Sequence, residues 1–378
     1  MTTVLIAKEA RAAETRVAGT PESVKRLRKL GVDVMVEAGA GSGAGFADAA
    51  YEAAGATVTD KALWDAADAV FCVGPPAEAD VERLKPGAVL LGLLAPYANA
   101  ALAERLAARR VTALAMELVP RISRAQSMDA LSSQANIAGY RAVLLAAMRM
   151  PKYMPLLMTA AGTIPPARVV VLGAGVAGLQ ALATARRLGA VVEVSDIRPV
   201  VKEQVESLGG KFIPLPELPS GEGTGGYARE MTPEFLAKQR ETVANHLKVA
   251  DAAITTALVP GRRAPTLITR AMAEGMKAGA VIVDLAVEQG GNCELSKADE
   301  EVVHNGVVVL APTNLAAGMP ADASTIYSRN VLALFQLALT KEGAIKVNTE
   351  DEVIAGALFT HDGAVTYGKP AVAAAAAS

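Results

Sequence analysis

Cysteine is almost absent from this chain: Cys72 and Cys293 are its only two. That excludes a disulfide framework or a clustered cysteine metal centre and points to a reduced, cytosolic compartment. Histidine is nearly as scarce. His246, His304 and His361 are dispersed, at no metal-ligand spacing, so neither a metal site nor a Ser-His-Asp constellation can be assembled. An excess of charge of one sign is missing too: 37 Lys and Arg against 39 Asp and Glu leave a net charge of −2, which indicates no nucleic-acid partner. Mean hydropathy is positive at +0.30, yet long apolar runs are lacking. Stretches such as Ala142 to Met148 and Val331 to Leu339 fall well short of the ~18 residues that argue for a membrane helix, so no direct span is expected. The opening MTTVLIAKEARAAETR has no apolar signal core and reads as a first strand.

What is present is 378 residues, 52% hydrophobic but only 4% aromatic, with the apolar content carried by Ala, Val and Leu. Such a composition suits helices packed on parallel sheets, and the length accommodates about two domains. The organising stretch is Val169 to Asp196, VVVLGAGVAGLQALATARRLGAVVEVSD. A β-branched run meets the turn Gly173-Ala174-Gly175-Val176-Ala177-Gly178 and passes directly into an amphipathic helix that ends at Gly189. In such a unit the first glycine permits the turn, the second lets the backbone approach a pyrophosphate, and the third lets helix and strand pack closely. The phosphates then sit at the positive helix N-terminus. A second strand, Val191 to Ser195, ends in Asp196, 23 residues after Gly173, where a carboxylate can accept from the adenosine ribose hydroxyls. Asp196 favours NAD, because a 2′-phosphate would meet a negative charge. Arg198 keeps NADP open as the lesser alternative.

Residues 1 to about 120 alternate strand and helix signals. Val4–Lys8, Val32–Glu37, Ala69–Val73, Ala88–Leu93 and Val111–Ala115 read as strands, and a helix from Pro21 to Leu30 follows Thr20 as N-cap and ends at Gly31. Repeated βα units imply a parallel sheet. The string Gly39-Ala-Gly41-Ser-Gly43-Ala-Gly45 lacks the Lys-Ser/Thr of a phosphate loop and reads as a plain loop. A helical pattern runs uninterrupted from Gln126 to Met150, and another from Ala323 to Thr340. The expected fold is therefore α/β: two Rossmann-like doubly wound parallel-sheet domains joined by two long helices, with a cleft between them. Residues 1–138 and 325–378 form the first domain, and 139–324 the dinucleotide-binding one. Further strands are expected at Ala252–Thr255, Val281–Asp284 and Val307–Leu310. Residues 214–232, proline-rich and then glycine-rich, break the rhythm and read as a lid over the cofactor, with Tyr227 able to dock on the adenosine. The alanine tail from 371 to 378 is expected to be disordered.

A general base is wanting. None of the three histidines lies in the first domain by this reading. The polar cluster that stands out is Pro120-Arg121-Ile122-Ser123-Arg124-Ala125-Gln126-Ser127-Met128-Asp129, with Ser132 following. It is read either as a helix cap with a solvated first turn or as a grip on the nicotinamide carboxamide and ribose by Arg121, Gln126, Asp129 and Ser132. None of these is an evident proton-transfer group. Chemistry at such a site would be direct hydride transfer, with the rate coming from positioning and water exclusion.

Together PRISRAQSMDALSSQANIAGYRAV, VVVLGAGVAGLQA, VSDIRP with KEQVESLGGKF, GTGGYAREM and DLAVEQGGNCE closely resemble the NAD(H)-binding component of proton-translocating nicotinamide nucleotide transhydrogenases, over essentially the whole chain. The resemblance implies an Si-Re (AB) specific hydride transfer between NAD(H) bound here and NADP(H) on a partner subunit, coupled to proton movement through a membrane subunit. It also implies a homodimer, peripheral on the cytoplasmic side of the inner membrane. By the same likeness Arg121, Ile122, Ser123, Gln126, Asp129 and Ser132 form the nicotinamide-side loop, with Gln126, Arg121 and Asp129 catalytic. Gly173, Ala174, Gly175, Val176 and Gly178 form the pyrophosphate turn, and Asp196, Ile197 and Arg198 the adenosine-ribose site. Gly226 and Tyr227 belong to the lid, and Thr256, Ala257 and Leu258 to a strand-end loop flanking the nicotinamide. Because the chain stops at an alanine tail, it looks like the split form. Alanine dehydrogenase shares the fold, and its start motif is matched by Lys8-Glu9 and Glu14 to Pro21. The stretches matching its catalytic lysine and histidine here read Phe71-Cys-Val-Gly-Pro-Pro76 and Gly92-Leu-Leu-Ala-Pro-Tyr97, with neither residue, although Arg16 is kept. An NAD-binding regulatory module without catalysis stays open.

Overall fold

The computed structural model describes residues 1–11, 13–60, 63–215, 233–259 and 261–367. The chain divides into two compact units, residues 1–134 with 317–378, and residues 135–316.

In the first unit β1 (Thr3–Ile6), β2 (Asp33–Glu37), β3 (Thr57–Thr59), β4 (Ala69–Phe71), β5 (Val89–Gly92) and β6 (Thr112–Ala115) lie in the order β6-β5-β4-β1-β2-β3. All six are parallel. The order reverses between β1 and β4, which makes their C-terminal ends the topological switch point of this unit. Val4, Leu5 and Ile6 are all fully buried, Val4 and Ile6 on one face with Tyr327 and Phe335, Leu5 on the other with Leu106 and Phe359. A parallel strand is covered on both faces, which is why it reads as a continuous apolar run. Each such side chain contributes about 1.5–3 kcal/mol by leaving water. The helix Pro21–Lys29 begins as expected at Thr20, whose side chain and that of Ser23 cap each other's backbone, and Gly31 follows it at φ +76°.

Two features depart from the expectation. The sheet is not wholly parallel: Leu358–His361 adds antiparallel to β6, and Ala364–Val365 adds antiparallel to that strand. The helix expected from Gln126 to Met150 is broken. Ser123–Met128 is a 3-10 turn, Asp129 leaves helical geometry at ψ 84°, and the α-helix runs Ala130–Arg149.

In the second unit β7 (Leu157–Thr159) and β8 (Gly162–Ile164) make a separate hairpin that the sequence reading missed. The main sheet uses β9 (Arg168–Leu172), β10 (Val191–Ser195), β11 (Lys211–Phe212), β12 (Ala252–Thr255), β13 (Val281–Asp284), β14 (Glu301–His304) and β15 (Val307–Leu310), ordered β11-β10-β9-β12-β13-β15-β14. Only β14 runs antiparallel. The order reverses between β9 and β12, so the turns after those two strands line the ligand position of a doubly wound sheet. Among the described residues, no helix is long and apolar enough to cross a membrane.

Candidate functional site

The turn after β9 is built as a phosphate cradle. Gly173 sits at φ +107°, a conformation that L side chains rarely adopt, and its N–H donates to Ser195 O at 2.8 Å. A Cβ on Gly178 would overlap the Gly173 carbonyl oxygen, so the third glycine is what lets the helix Val176–Arg187 start against the strand. Gly175 is different. A Cβ there would meet nothing within 4 Å, which leaves open space in front of the helix N-terminus. These residues fit a pyrophosphate: an exposed glycine backbone, an exposed Val176 at the first helical position, and oriented N–H groups.

Asp196 follows β10, within hydrogen-bond reach of that turn. Its Oδ2 accepts from Ala174 N at 2.7 Å and Arg198 Nη2 at 2.9 Å, and its Oδ1 from Arg198 N at 2.8 Å and Nε at 3.0 Å. Both oxygens, expected for ribose hydroxyls, are thus engaged by their own loop. A ribose reaches Asp196 only if the Arg198 guanidinium turns aside.

On the other flank of the switch point, Thr256 N donates to Leu172 O at 2.9 Å and its hydroxyl to Gly173 O at 3.1 Å. Ala257 is held by Asn292, which accepts from Ala257 N at 3.0 Å and donates to Ala257 O at 2.9 Å. Leu258 is left 40% exposed at the strand ends. Gly226 and Tyr227, like the expected lid between 216 and 232, lie outside the described residues, as does the alanine tail.

In the first unit, the Arg121–Ser132 cluster has the geometry of a cap. Asp129 Oδ1 accepts from Ser132 N at 2.8 Å and Oδ2 from Ser132 Oγ at 2.6 Å, which starts the helix at Ala130. Arg121, Ser123 and Gln126 are exposed, whereas Ile122 is half-buried against the core. Asn330, which sequence reasoning passed over, holds the cluster from the helix Pro320–Leu337: its Nδ2 donates to Ser127 O at 2.8 Å, and its Oδ1 accepts from Ser133 Oγ at 2.7 Å. Arg124 pairs both ways with Asp351 at 2.7 and 2.8 Å, and holds that carboxyl down at about 2.

The loops corresponding to those that carry the lysine and histidine of alanine dehydrogenase are staked by buried carboxyls. Glu9 accepts from Val73 N at 2.6 Å and Gly74 N at 3.1 Å, and burial pushes its carboxyl up to about 7. Glu117 accepts from Leu94 N at 3.1 Å and Ala95 N at 2.7 Å, and it too is raised by burial. Tyr327 donates to Cys72 O at 3.0 Å from the same side. Arg16 is bound to Glu14 at 2.6 Å and to Gln134 Oε1 at 2.7 Å. The reading that no histidine lies in the first domain is corrected by His361, which sits on an added antiparallel strand with Nδ1 3.0 Å from Thr112 Oγ1. His246 and His304 face Glu193 and Glu274 in the second unit. Each histidine has a side-chain partner of its own, so none stands as a spare proton carrier beside the glycine turn.

Two doubly wound α/β units, one with a glycine turn and an acid fitted to a dinucleotide, define a nucleotide-binding protein of the two-domain dehydrogenase class. The chain belongs to the alanine dehydrogenase/PNT family: the N-terminal domain of that family matches residues 5–138 and the C-terminal domain residues 142–368. It is 50% identical over 374 residues to an NAD(P) transhydrogenase alpha subunit of Rhodospirillum rubrum, covering 96% of this chain and 97% of that one. A solved transhydrogenase structure from Sinorhizobium meliloti superposes with a TM-score of 0.88 at 46% identity, covering 96% of this chain and 99% of the other. Alanine dehydrogenase of Halomonas elongata is more distant, at 35% identity over 96% of this chain and 94% of its own length.

Proposed function

We propose that this chain is the NAD(H)-binding subunit of a proton-translocating transhydrogenase. One observation carries the reading: 50% identity to a transhydrogenase subunit across both units and nearly the full length of both chains. The staked loops agree with it. Where an amino-acid dehydrogenase needs a lysine and a histidine, Phe71–Pro76 and Gly92–Tyr97 have neither, and Glu9 and Glu117 hold their backbones instead.

In this reading Gly173, Ala174, Gly175, Val176 and Gly178 take the pyrophosphate, and Asp196, Ile197 and Arg198 take the adenosine ribose. Arg121, Ile122, Ser123, Gln126, Asp129 and Ser132, with Thr256 to Leu258, orient the nicotinamide end, and Gly226 with Tyr227 closes over it. NADH supplies a hydride from its nicotinamide ring. The protein's part is to bind, orient and exclude water, since the orienting groups include no evident general base. The acceptor is NADP(H) on a partner subunit. Transfer is Si-Re (AB) specific and is coupled to protons by a separate membrane subunit. The chain works as a homodimer, peripheral on the cytoplasmic side of the inner membrane through its partners.

The test is hydride transfer from NADH to an NADP analogue, first with the purified chain alone and then with an NADP-binding partner subunit. Rapid transfer only in the mixture is the expected result, and Gln126→Ala should slow it far more than it weakens NADH binding. NADH binding without transfer in any mixture would return the chain to the regulatory reading. NAD-dependent alanine oxidation by the chain alone would return it to the amino-acid dehydrogenases.

A further inference from the structure

Asp284 ends β13 and is completely buried, yet all five donors it meets are uncharged: Thr255 Oγ1 at 3.0 Å, Ala286 N at 2.9 Å, Asn292 N at 2.8 Å, Cys293 N at 3.0 Å and Ser296 Oγ at 2.6 Å. A buried carboxylate satisfied this fully acts as a rigid hub. What it fixes is the backbone of Asn292, whose carbonyl also accepts from Leu267 N and Ile268 N at 2.8 and 3.0 Å.

Asn292 is itself completely buried, and its amide reaches out of this frame to Ala257. It accepts the Ala257 N–H and donates to the Ala257 carbonyl, with a further bond to Pro265 O at 2.8 Å. This two-way grip does for one residue what a neighbouring strand would do, at the point where β12 has ended and ladder pairing has stopped. It is independent of the Ala257 side chain. We infer that Asn292 is a positioning residue for the nicotinamide end of the dinucleotide: by clamping Ala257 it sets the Ala257–Leu258 backbone at the mouth of the switch point. This rests on the proposed function, in which that loop flanks the nicotinamide.

The structure separates this role from general support of the cofactor site. Thr256 is held by its own bonds to Leu172 O and Gly173 O, so the glycine turn keeps its neighbour when Asn292 lets go. Asp196 and its partners lie beyond β9 on the far side of β10. Loss of the Asn292 side chain therefore frees the chain from Ala257 onward and leaves the adenosine and pyrophosphate contacts in place.

The experiment compares calorimetric titration of the full chain with NADH and with ADP-ribose, which has every part of the dinucleotide except the nicotinamide. Asn292→Ala should weaken NADH by roughly tenfold, the equivalent of one hydrogen-bond-scale loss, while ADP-ribose changes by less than about twofold. Single-turnover transfer in the partner mixture should fall further than NADH affinity does. Should Asn292→Ala fail to fold, Asn292→Asp serves, since it keeps an acceptor for Ala257 N and loses both donors; the same selective loss is expected. Equal loss of NADH and ADP-ribose, or no loss of either, overturns the assignment. A wild-type chain that binds NADH but transfers no hydride in the mixture defeats the proposed function and leaves the binding comparison to stand or fall by itself.

Discussion

Glu9 offers a test whose size can be worked out in advance. Its carboxyl sits at the switch point of the first unit, where it takes the Val73 and Gly74 N–H groups, with Glu14 and Arg16 as the charged neighbours. Burial dominates and lifts its pKa from the usual 4.5 to about 7. The unfolded chain therefore releases this proton first. Stability is complete below pH 4.5, falls as pH rises towards 7, and is level above that. At 1.36 kcal/mol per pH unit the full shift is worth about 3 kcal/mol, an upper bound that residual solvent at the side chain lowers. Glu9→Gln copies the neutral form. It turns an amide N–H towards one of the two backbone donors, a constant penalty of about 1–3 kcal/mol, so the slope against pH is the observable. Trp64, the only tryptophan, is buried in this unit with its indole N–H on Glu37 at 3.0 Å. Its fluorescence during urea unfolding thus reports on the right half of the molecule. The wild type should lose stability between pH 4.5 and 7 more steeply than Glu9→Gln. Parallel slopes in the two proteins would refute the reasoning.

Three further outcomes are expected. Gly175→Ala should fold with near-normal stability, since its Cβ meets open space, yet lose most of its NADH affinity; Gly178→Ala should lose about 1–3 kcal/mol of stability from overpacking against Gly173. Urea titration and NADH titration of the pair check this, and a Gly175→Ala chain that binds NADH normally contradicts the cradle. Asp196→Ala releases Arg198 from its carboxylate partner, so NADH affinity should drop and the NADPH to NADH affinity ratio should rise at least tenfold, read by fluorescence titration. An unchanged ratio would mean that Arg198 does not reach the 2′ position. Asp351, held at about 2 by Arg124, contributes stability that is present above its usual 3.8 and lost as pH falls through 2. The pair is partly solvated, so Asp351→Asn, which keeps the helix cap, should cost no more than about 1 kcal/mol at neutral pH, and the deficit should vanish in acid.

The sequence by itself determined the local units and the chemistry of the turn. Val191–Ser195, Ala252–Thr255, Val281–Asp284 and Val307–Leu310 form strands with the bounds expected, because parallel strands buried on both faces write themselves as unbroken apolar runs. Thr20 and Gly31 mark their helix for equally local reasons, a side-chain cap and a left-handed backbone. The glycine turn is likewise short-range, since spacing alone decides where a backbone lacks side chains. The exception was Asp129. Its side chain competes with the helix it precedes, so a segment that reads as one continuous helix is a 3-10 turn, a cap and a shorter helix.

Only the tertiary structure decided what depends on partners far apart in the chain. The antiparallel strand Leu358–His361 joins a sheet whose other members ended more than two hundred residues earlier, and it carries His361 into the unit thought to have no histidine. Glu9 looks like one more surface acid until two backbone N–H groups from residues 73 and 74 close on it. Asp196 carries the ribose-acid signature in sequence, but whether its oxygens stand free depends on where Arg198 turns, and it turns inward. Asn292 was visible only as a letter in a motif. Its meaning lies in a hydrogen-bond pair with a residue 35 positions away, and a buried polar group has a role only once its partners are known.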